Sequence, residues 1–584
     1  MSDTQNSTQS AATGNSDGKP RPLKVLHIGN IANNGFIASR LLNERGIESH
    51  LLVADYYHTH GCPEWEDAEI EGDWGDDFFP GWHRTNLHGY KRPDWIAQGP
   101  RHMAIQYLIA LNEGKHRKAA ILRRLLARYR RMISSGRIGM FGHRLWNSRF
   151  GMIFRGLSGL DHPGAAQQTK AEFPGAEWVN TNRASSRLAS LIPAAQQPVM
   201  SDVERGDIYR RLSEAKATLR SLRLGTPNPD PKLGPEIDHE AVNAWDKIVR
   251  DLTAIVKPPK LSDEVHHYDY DAHLWRRLFS HYDVVVGYAT DGIWPMAVGK
   301  SYFALEHGTI RNLPFEQSYI GRQTKAVYQN AAGVFVTNCD NNRAADKMGL
   351  KNYVFIPHPT MEDNIDVQRE KAARLRQMME ARFDCDFIVF NPSRHHWDKG
   401  HRDSNWDKGN DLMIEGFARL VNVHKVRGLL ILVEAGQMIQ KSKELIAELG
   451  IGSRVMWMKS QPHRSFMRYI MASDVVADQF GPPLSFGGIP PKAMQCERPI
   501  LTNYNSKLHT WCFDELPPFI ITNNYVEIGD TMADLYRDPE RRAAVGKAGK
   551  EWYKKYYSND VFYQTLNRMV TKAYGKNLDG TPAQ

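Results

Sequence analysis

The chain has 584 residues, 41% of them hydrophobic, which excludes a disordered or collagen-like polymer and leaves room for two to four domains at roughly 150 residues each. The formal charge of +9 is concentrated rather than spread, and five scattered cysteines without a CxxC pair (Cys62, Cys339, Cys385, Cys496, Cys512) argue against a disulfide framework and a zinc site. The polar opening lacks the apolar core of a signal peptide, and no stretch reaches the roughly 18 apolar residues of a membrane span, so a cytosolic protein is expected.

After a polar tail over residues 1–22, "LKVLHIGNIANNGFIASRLLNERGIESHLLV" predicts a buried strand, a polar loop containing Gly35, a helix through Glu44 and a second strand, the β-α-β unit of a parallel sheet. From about Tyr56 to Lys260 the pattern reads as an insertion, largely helical over about 100–260. Within it, no Asp or Glu occurs between Gly114 and Leu160, and "KHRKAAILRRLLARYRRM" places apolar residues at helical spacing among arginines. Such a helix packs one face and offers the other to solvent or to anionic lipid; without a recognition module it does not imply nucleic acid.

"HHYDYDAH" resembles a metal cluster, but it runs directly into "LWRRLFS", where Asp269 or Asp271 is expected to cap a helix. "VGKS" at Val298 lacks the first glycine of a phosphate loop, and Gly29 to Gly35 lacks dinucleotide spacing. Strand runs resume at "DVVVGY", "SYFALEHG" and "AGVFVTN", closing a first domain over residues 23–357. A second set, "FIVFNPS", "GLLILVEAG", "RVMWMK", "DVVADQF" and "RPILTNY", forms a second domain over residues 358–545, followed by a terminal helix over 546–575 and a tail over 576–584. The fold class is therefore α/β, two Rossmann-like doubly wound domains, with ligands expected at the carboxyl ends of their strands.

In that second domain "RHHWDKGHRDSNWDKGND" carries Trp-Asp-Lys-Gly twice. The second copy leads into the helical pattern "LMIEGFARLV", with Asn410 or Asp411 as the expected cap, so Lys408 stands before a helix in the loop after a strand. A lysine with a nearby arginine, Arg394, suits a diphosphate. Further on, "SFGGIPPKAM" feeds glycines Gly487 and Gly488 into a second helix, where unpaired backbone N–H groups favour an anion.

These motifs, with "IEGFARL", "IAELGIGSRVMWM", "YIMASDVVADQF" and "ERPILT" in order, resemble the GT-B glycosyltransferases of family 4 over most of Cys385 to Tyr553. The resemblance implies a nucleotide-sugar donor on the second domain, its diphosphate held by Arg394, Lys408, Gly487 and Gly488 and its nucleoside near Phe486, Ile489 and Lys492. It implies His307 as the residue that approaches the reacting bond, Gly35 and Gly308 lining the acceptor side of the cleft, and a last helix that crosses back to the first domain. Family spacing would select Lys399, but the helix start aligns Lys408. Leu484 and Lys492 stand where the family has two glutamates, and a lysine accepts no hydrogen bond from a ribose.

The expectation is a retaining sugar transferase without a required metal or cofactor, acting on a glycan or lipid-linked acceptor, with possible peripheral contact with anionic membrane and no nucleic acid. A silent GT-B module that binds a nucleotide or glycan as a scaffold is the alternative.

Overall fold

The computed structural model describes residues 20–135, 183–194, 202–224, 239–256, 261–362, 365–398, 407–482 and 486–583. Two parallel sheets organise it. The first runs β3-β2-β1-β4-β5-β6-β7, with β1 Val25–Ile28, β2 Ser49–Ala54, β3 Ile96–Gly99, β4 Val284–Tyr288, β5 Phe303–Leu305, β6 Gly333–Val336 and β7 Tyr353–Phe355. The second runs β10-β9-β8-β11-β12-β13, with β8 Phe387–Asn391, β9 Gly428–Val433, β10 Val455–Met458, β11 Val475–Ala477, β12 Ile500–Thr502 and β13 Ile520–Ile521.

Every registered strand pair is parallel. Such sheets are covered on both faces, which is why the inner strands read as unbroken apolar runs: β1, β4, β8 and β9 are buried throughout. In each sheet the strand order reverses once, between β1 and β4 and between β8 and β11. At such a point neighbouring loops diverge and leave a crevice. Two doubly wound α/β domains are therefore present, as expected, with the first enlarged by helices.

Three boundaries differ from expectation. β3 lies inside the supposed insertion and forms the edge of the first sheet, and the helix Arg101–Asn112 packs into that domain's core. Its Gln98 and Gly99 hide it from an apolar pattern. The terminal helix is two helices, Pro539–Tyr556 on the second domain and Asn559–Tyr574 on the first. The tail after Gly575 is packed: Leu578 is fully buried, and its carbonyl accepts from the Leu23 N–H at 2.8 Å.

Phe562, Leu566, Met569 and Val570 of the last helix pack with Val25, Val284, Phe303 and Phe335 of the first domain, so the chain's end ties the two domains together. Leu566→Ala should destabilise the first domain by about 2–5 kcal/mol, the range for a buried leucine lost to a cavity. Denaturant unfolding read by tryptophan fluorescence checks this, and an unchanged midpoint contradicts the assignment.

Candidate functional site

At the reversal point of the first sheet, the chain after β1 turns through Ala32 and Asn33, both left-handed at φ 50° and 57°. Each such non-glycine residue costs on the order of 1–2 kcal/mol. Asn30 braces the turn: its amide donates to Asn33 Oδ1 and to the Gly61 carbonyl, both at 2.9 Å, and its Oδ1 accepts from the Phe36 N–H at 2.9 Å. Gly35 belongs to this bracing and not to the acceptor side of the cleft. It is buried, and a Cβ there would lie 2.5 Å from the Gly29 carbonyl oxygen.

Asn34 is the residue this loop delivers. Its Nδ2 stands 3.2 Å from His307 Nδ1 and 3.1 Å from His358 Nδ1, and the two rings meet edge to face at 5.0 Å. His307 follows β5, as expected. Gly308 beside it has φ 86°, and its N–H donates to Glu306 Oε2 at 2.6 Å, so the glycine makes a turn and its donor is used. Arg311, on the same loop, forms a forked pair with Asp340 at 2.6 and 2.8 Å.

Next to this loop, after β4, lies Asp291, whose carboxyl oxygen comes so close to Gly29 that a Cβ there would meet it at 2.4 Å. Burial pushes its carboxyl up to about 7, against the pull of Arg101.

The second domain repeats the pattern. At the end of β8, Asn391 donates to the carbonyls of Ala477 at 2.9 Å and Asp478 at 2.7 Å, holding the two diverging loops together. Lys408 is clamped between them by backbone bonds, its N–H to His396 and its carbonyl from Phe480, while its Nζ donates to Gln479 Oε1 at 2.9 Å. The cap of the following helix, Asn410–Asn422, is neither Asn410 nor Asp411 but Gly409, at φ 62°, where a Cβ would strike the Phe480 carbonyl carbon at 2.6 Å. Both expected caps are buried, and Asn410 Oδ1 accepts from the His396 N–H at 3.1 Å.

Burial is the largest influence on Lys408 and lowers its ammonium; Asp478 opposes this, and the charges of Arg394 and Arg311 reinforce it. Cations of both domains therefore act on one another across the cleft. Arg394 is exposed. Asp478 is buried and burial raises it to about 6, while Lys408, the Ser393 hydroxyl and the Gly487 N–H draw it down. The Gly487 N–H thus faces a carboxyl, and beside Gly487 and Gly488 a Cβ would meet nothing within 4 Å.

Phe486 is a correction. Its ring is stacked on His509 at 5.3 Å and packed with Phe513, Phe519 and Trp552 in the second domain's core, so it does not line a nucleoside site. Ile489 opens the short helix Ile489–Gln495 and packs against the same core. Lys399 and Leu484 lie outside the described residues.

Lys492 is drawn into a seam between the domains. Its Nζ lies 3.3 Å from His463 Nδ1, which meets Glu66 Oε1 at 3.0 Å; Arg464 pairs with Asp67 at 3.3 Å, and Arg468 and Lys371 pair with Glu69. Burial would raise Glu66, but the charges of His463 and Lys492 outweigh it and hold the carboxyl at about 2. A cavity of about 540 Å³ opens along the same seam, between Asp73, Trp74 and Asp77 of the first domain and Glu434, Lys459 and Gln461 of the second. Another, of about 430 Å³, is lined by Glu362, Arg369, Gln495 and Tyr553 where the chain crosses between domains.

Asp269 and Asp271 do not cap their own helix, Tyr268–Phe279, but lie in its first turn. Asp269 accepts from the Ser185 N–H at 2.9 Å at the start of another helix, and Asp271 pairs with Arg101 at 3.0 Å. Among the described residues no group of three or more His, Cys, Asp or Glu side chains is arranged to hold a metal, and no helix is long and apolar enough to cross a membrane.

No protein-family model matches the chain, and no curated protein does. Among solved structures, HepE of Anabaena in complex with UDP-glucose is 15% identical over 56% of this chain and 89% of its own, with a TM-score of 0.43. Sucrose-phosphate synthase of Thermosynechococcus elongatus is 16% identical over 58% and 81%, at 0.39. A glycosyltransferase of Rickettsia africae is 14% identical over 53% and 80%, at 0.40. At these identities and scores the likeness bears on neither substrate nor reaction.

The seam carries a pH dependence. Glu66 is held below its unfolded value of 4.5, so its contribution to closure is complete above that value and lost as pH falls through about 2. Glu66→Gln should open the cleft at neutral pH, seen as a larger radius of gyration in small-angle scattering, and should blunt the acid-induced expansion of the wild type. An unchanged radius in that variant contradicts the role of the pair.

Proposed function

We propose that this protein transfers a sugar from a nucleotide-sugar donor to a glycan or lipid-linked acceptor in the interdomain cleft, with retention of configuration. What carries the proposal is the placement of Lys408 and Arg394 in the loop after β8 and of Arg311, paired with Asp340, in the loop after β5, at the carboxyl edges of the two sheets, with the charges of both arginines bearing on Lys408. A diphosphate leaving group gathers charge as the glycosidic bond breaks, and fixed cations in a partly dry cleft stabilise that charge more than they stabilise the intact donor. The loop at Gly487 and Gly488 has the open space to admit a phosphate, and protonation of Asp478 would leave its N–H free for one.

The acceptor would enter from the first domain, past His307 and along the seam cavity beside Trp74. Lys492, whose Nζ lies 3.3 Å from His463 Nδ1, takes no hydrogen bond from a ribose and adds positive charge to the cleft. The donor's nucleoside is then held by contacts other than the family's carboxylate.

Calorimetry with a panel of nucleoside diphosphates, followed by transfer assays with the sugar nucleotides of those that bind, tests the proposal. Lys408→Ala should weaken binding by about 1.5–3 kcal/mol, the worth of a hydrogen bond to a charged group, and Lys399→Ala by much less. Equal losses, or the larger loss at Lys399, overturn the assignment of Lys408; absence of binding to every diphosphate overturns the donor site.

A further inference from the structure

Asn34 stands between two histidines in a way that determines where their protons are. Its Nδ2 lies 3.2 Å from His307 Nδ1 and 3.1 Å from His358 Nδ1, and the rings, tilted at 79°, converge on it with their Nδ1 edges. An amide nitrogen carries two protons and accepts none, so each proton has one ring nitrogen to go to and each Nδ1 is an acceptor. A neutral imidazole that accepts at Nδ1 carries its proton at Nε2.

We infer that Asn34 is a positioning residue that locks His307 and His358 together in the Nε2–H tautomer, so that the cleft offers two neutral N–H donors to a substrate oxygen. The surroundings favour neutral rings. Burial lowers His358 to about 3, with His307 and Lys492 adding to the effect. Burial lowers His307 as well; Glu306 opposes it and Arg311 reinforces it.

The geometry is fixed from both sides. Asn34 is 4% exposed and begins the helix Asn34–Glu44, whose start cannot move because Gly35 rests on the Gly29 carbonyl and Asn30 ties the loop to Phe36 and Gly61. His307 follows β5, and His358 lies just beyond β7. The segments that follow β1, β5 and β7 of the first sheet thus supply one hydrogen-bonded unit.

What the two donors act on rests on the transferase reading. With their protons at Nε2, His307 and His358 give hydrogen bonds to an oxygen of the sugar or acceptor and do not take its proton. His307 then contributes by orientation and by stabilising negative charge, and His358 becomes a second residue of the same kind. The tautomers follow from the Asn34 amide nitrogen facing both rings and are measurable without any substrate.

Histidine-selective ¹⁵N labelling and two-bond ¹H–¹⁵N correlation spectra at neutral pH report the tautomer of each ring, with His307→Gln and His358→Gln used only to assign signals. Both rings should show the Nε2–H pattern. A carboxylate accepts where the amide donates, so Asn34→Asp should move at least one ring to the Nδ1–H form or to the imidazolium. A wild-type ring found as Nδ1–H overturns the inference even if the variant does not fold, and unchanged patterns in a folded Asn34→Asp protein overturn it as well. Loss of nucleotide binding or transfer would strike the transferase reading and leave these spectra unaffected.

Discussion

Burial of Phe562, Leu566, Met569 and Val570 against the first sheet forces the end of the chain to return from the second domain, and that return constrains how the two domains face each other. Because every strand pair in each sheet is parallel, the carboxyl ends of each sheet share one edge, and the loops that carry chemistry have nowhere else to go. The carboxylates Glu66, Asp67 and Glu69 then meet His463, Arg464 and Arg468 along the seam. Hydrophobic packing sets the orientation, and charge sets the gap.

Within the gap the charges are sorted. Two arginines, Arg394 and Arg311, act on Lys408, while the carboxyls of Asp291 and Asp478, which follow β4 and β11, are raised by burial to about 7 and about 6. Near neutral pH Asp291 is about half protonated, whereas Asp478 is mostly ionised and offsets part of the charge on Lys408. Arg311 is paired with Asp340 and Lys408 faces Asp478, so Arg394, exposed at the surface, is the least offset of the three cations. The histidine pair at Asn34 adds donors without adding charge.

Much of this was legible from the sequence because it is written in residue types that act locally. Apolar runs marked the central strands, and the lysine and arginine after β8 marked the second domain's loop. Geometry that depends on distant partners was hidden. Gly409 caps its helix at a left-handed φ, and the approach of Phe480, distant in the chain, leaves no room for a side chain there. Phe486 stands in a loop of glycines and prolines, yet the aromatic core behind it claims its ring. Asp269 serves a helix more than eighty residues earlier in the chain. Asn34, Asp291 and Arg311 were missed even though each lies within a few residues of a strand's carboxyl end, and that position was the signal available for finding them.

If the protein works as proposed, one anionic ligand is held by loops of both domains. Hydrogen–deuterium exchange with and without a saturating nucleoside diphosphate tests it most directly, because a bound ligand slows local opening of the segments it touches. Exchange should slow in the loops around residues 393–396, 407–410 and 486–489 of the second domain, and at the same time around 306–311 of the first. Protection confined to the second domain, or found instead at the cavity lined by Glu362, Gln495 and Tyr553, would contradict it.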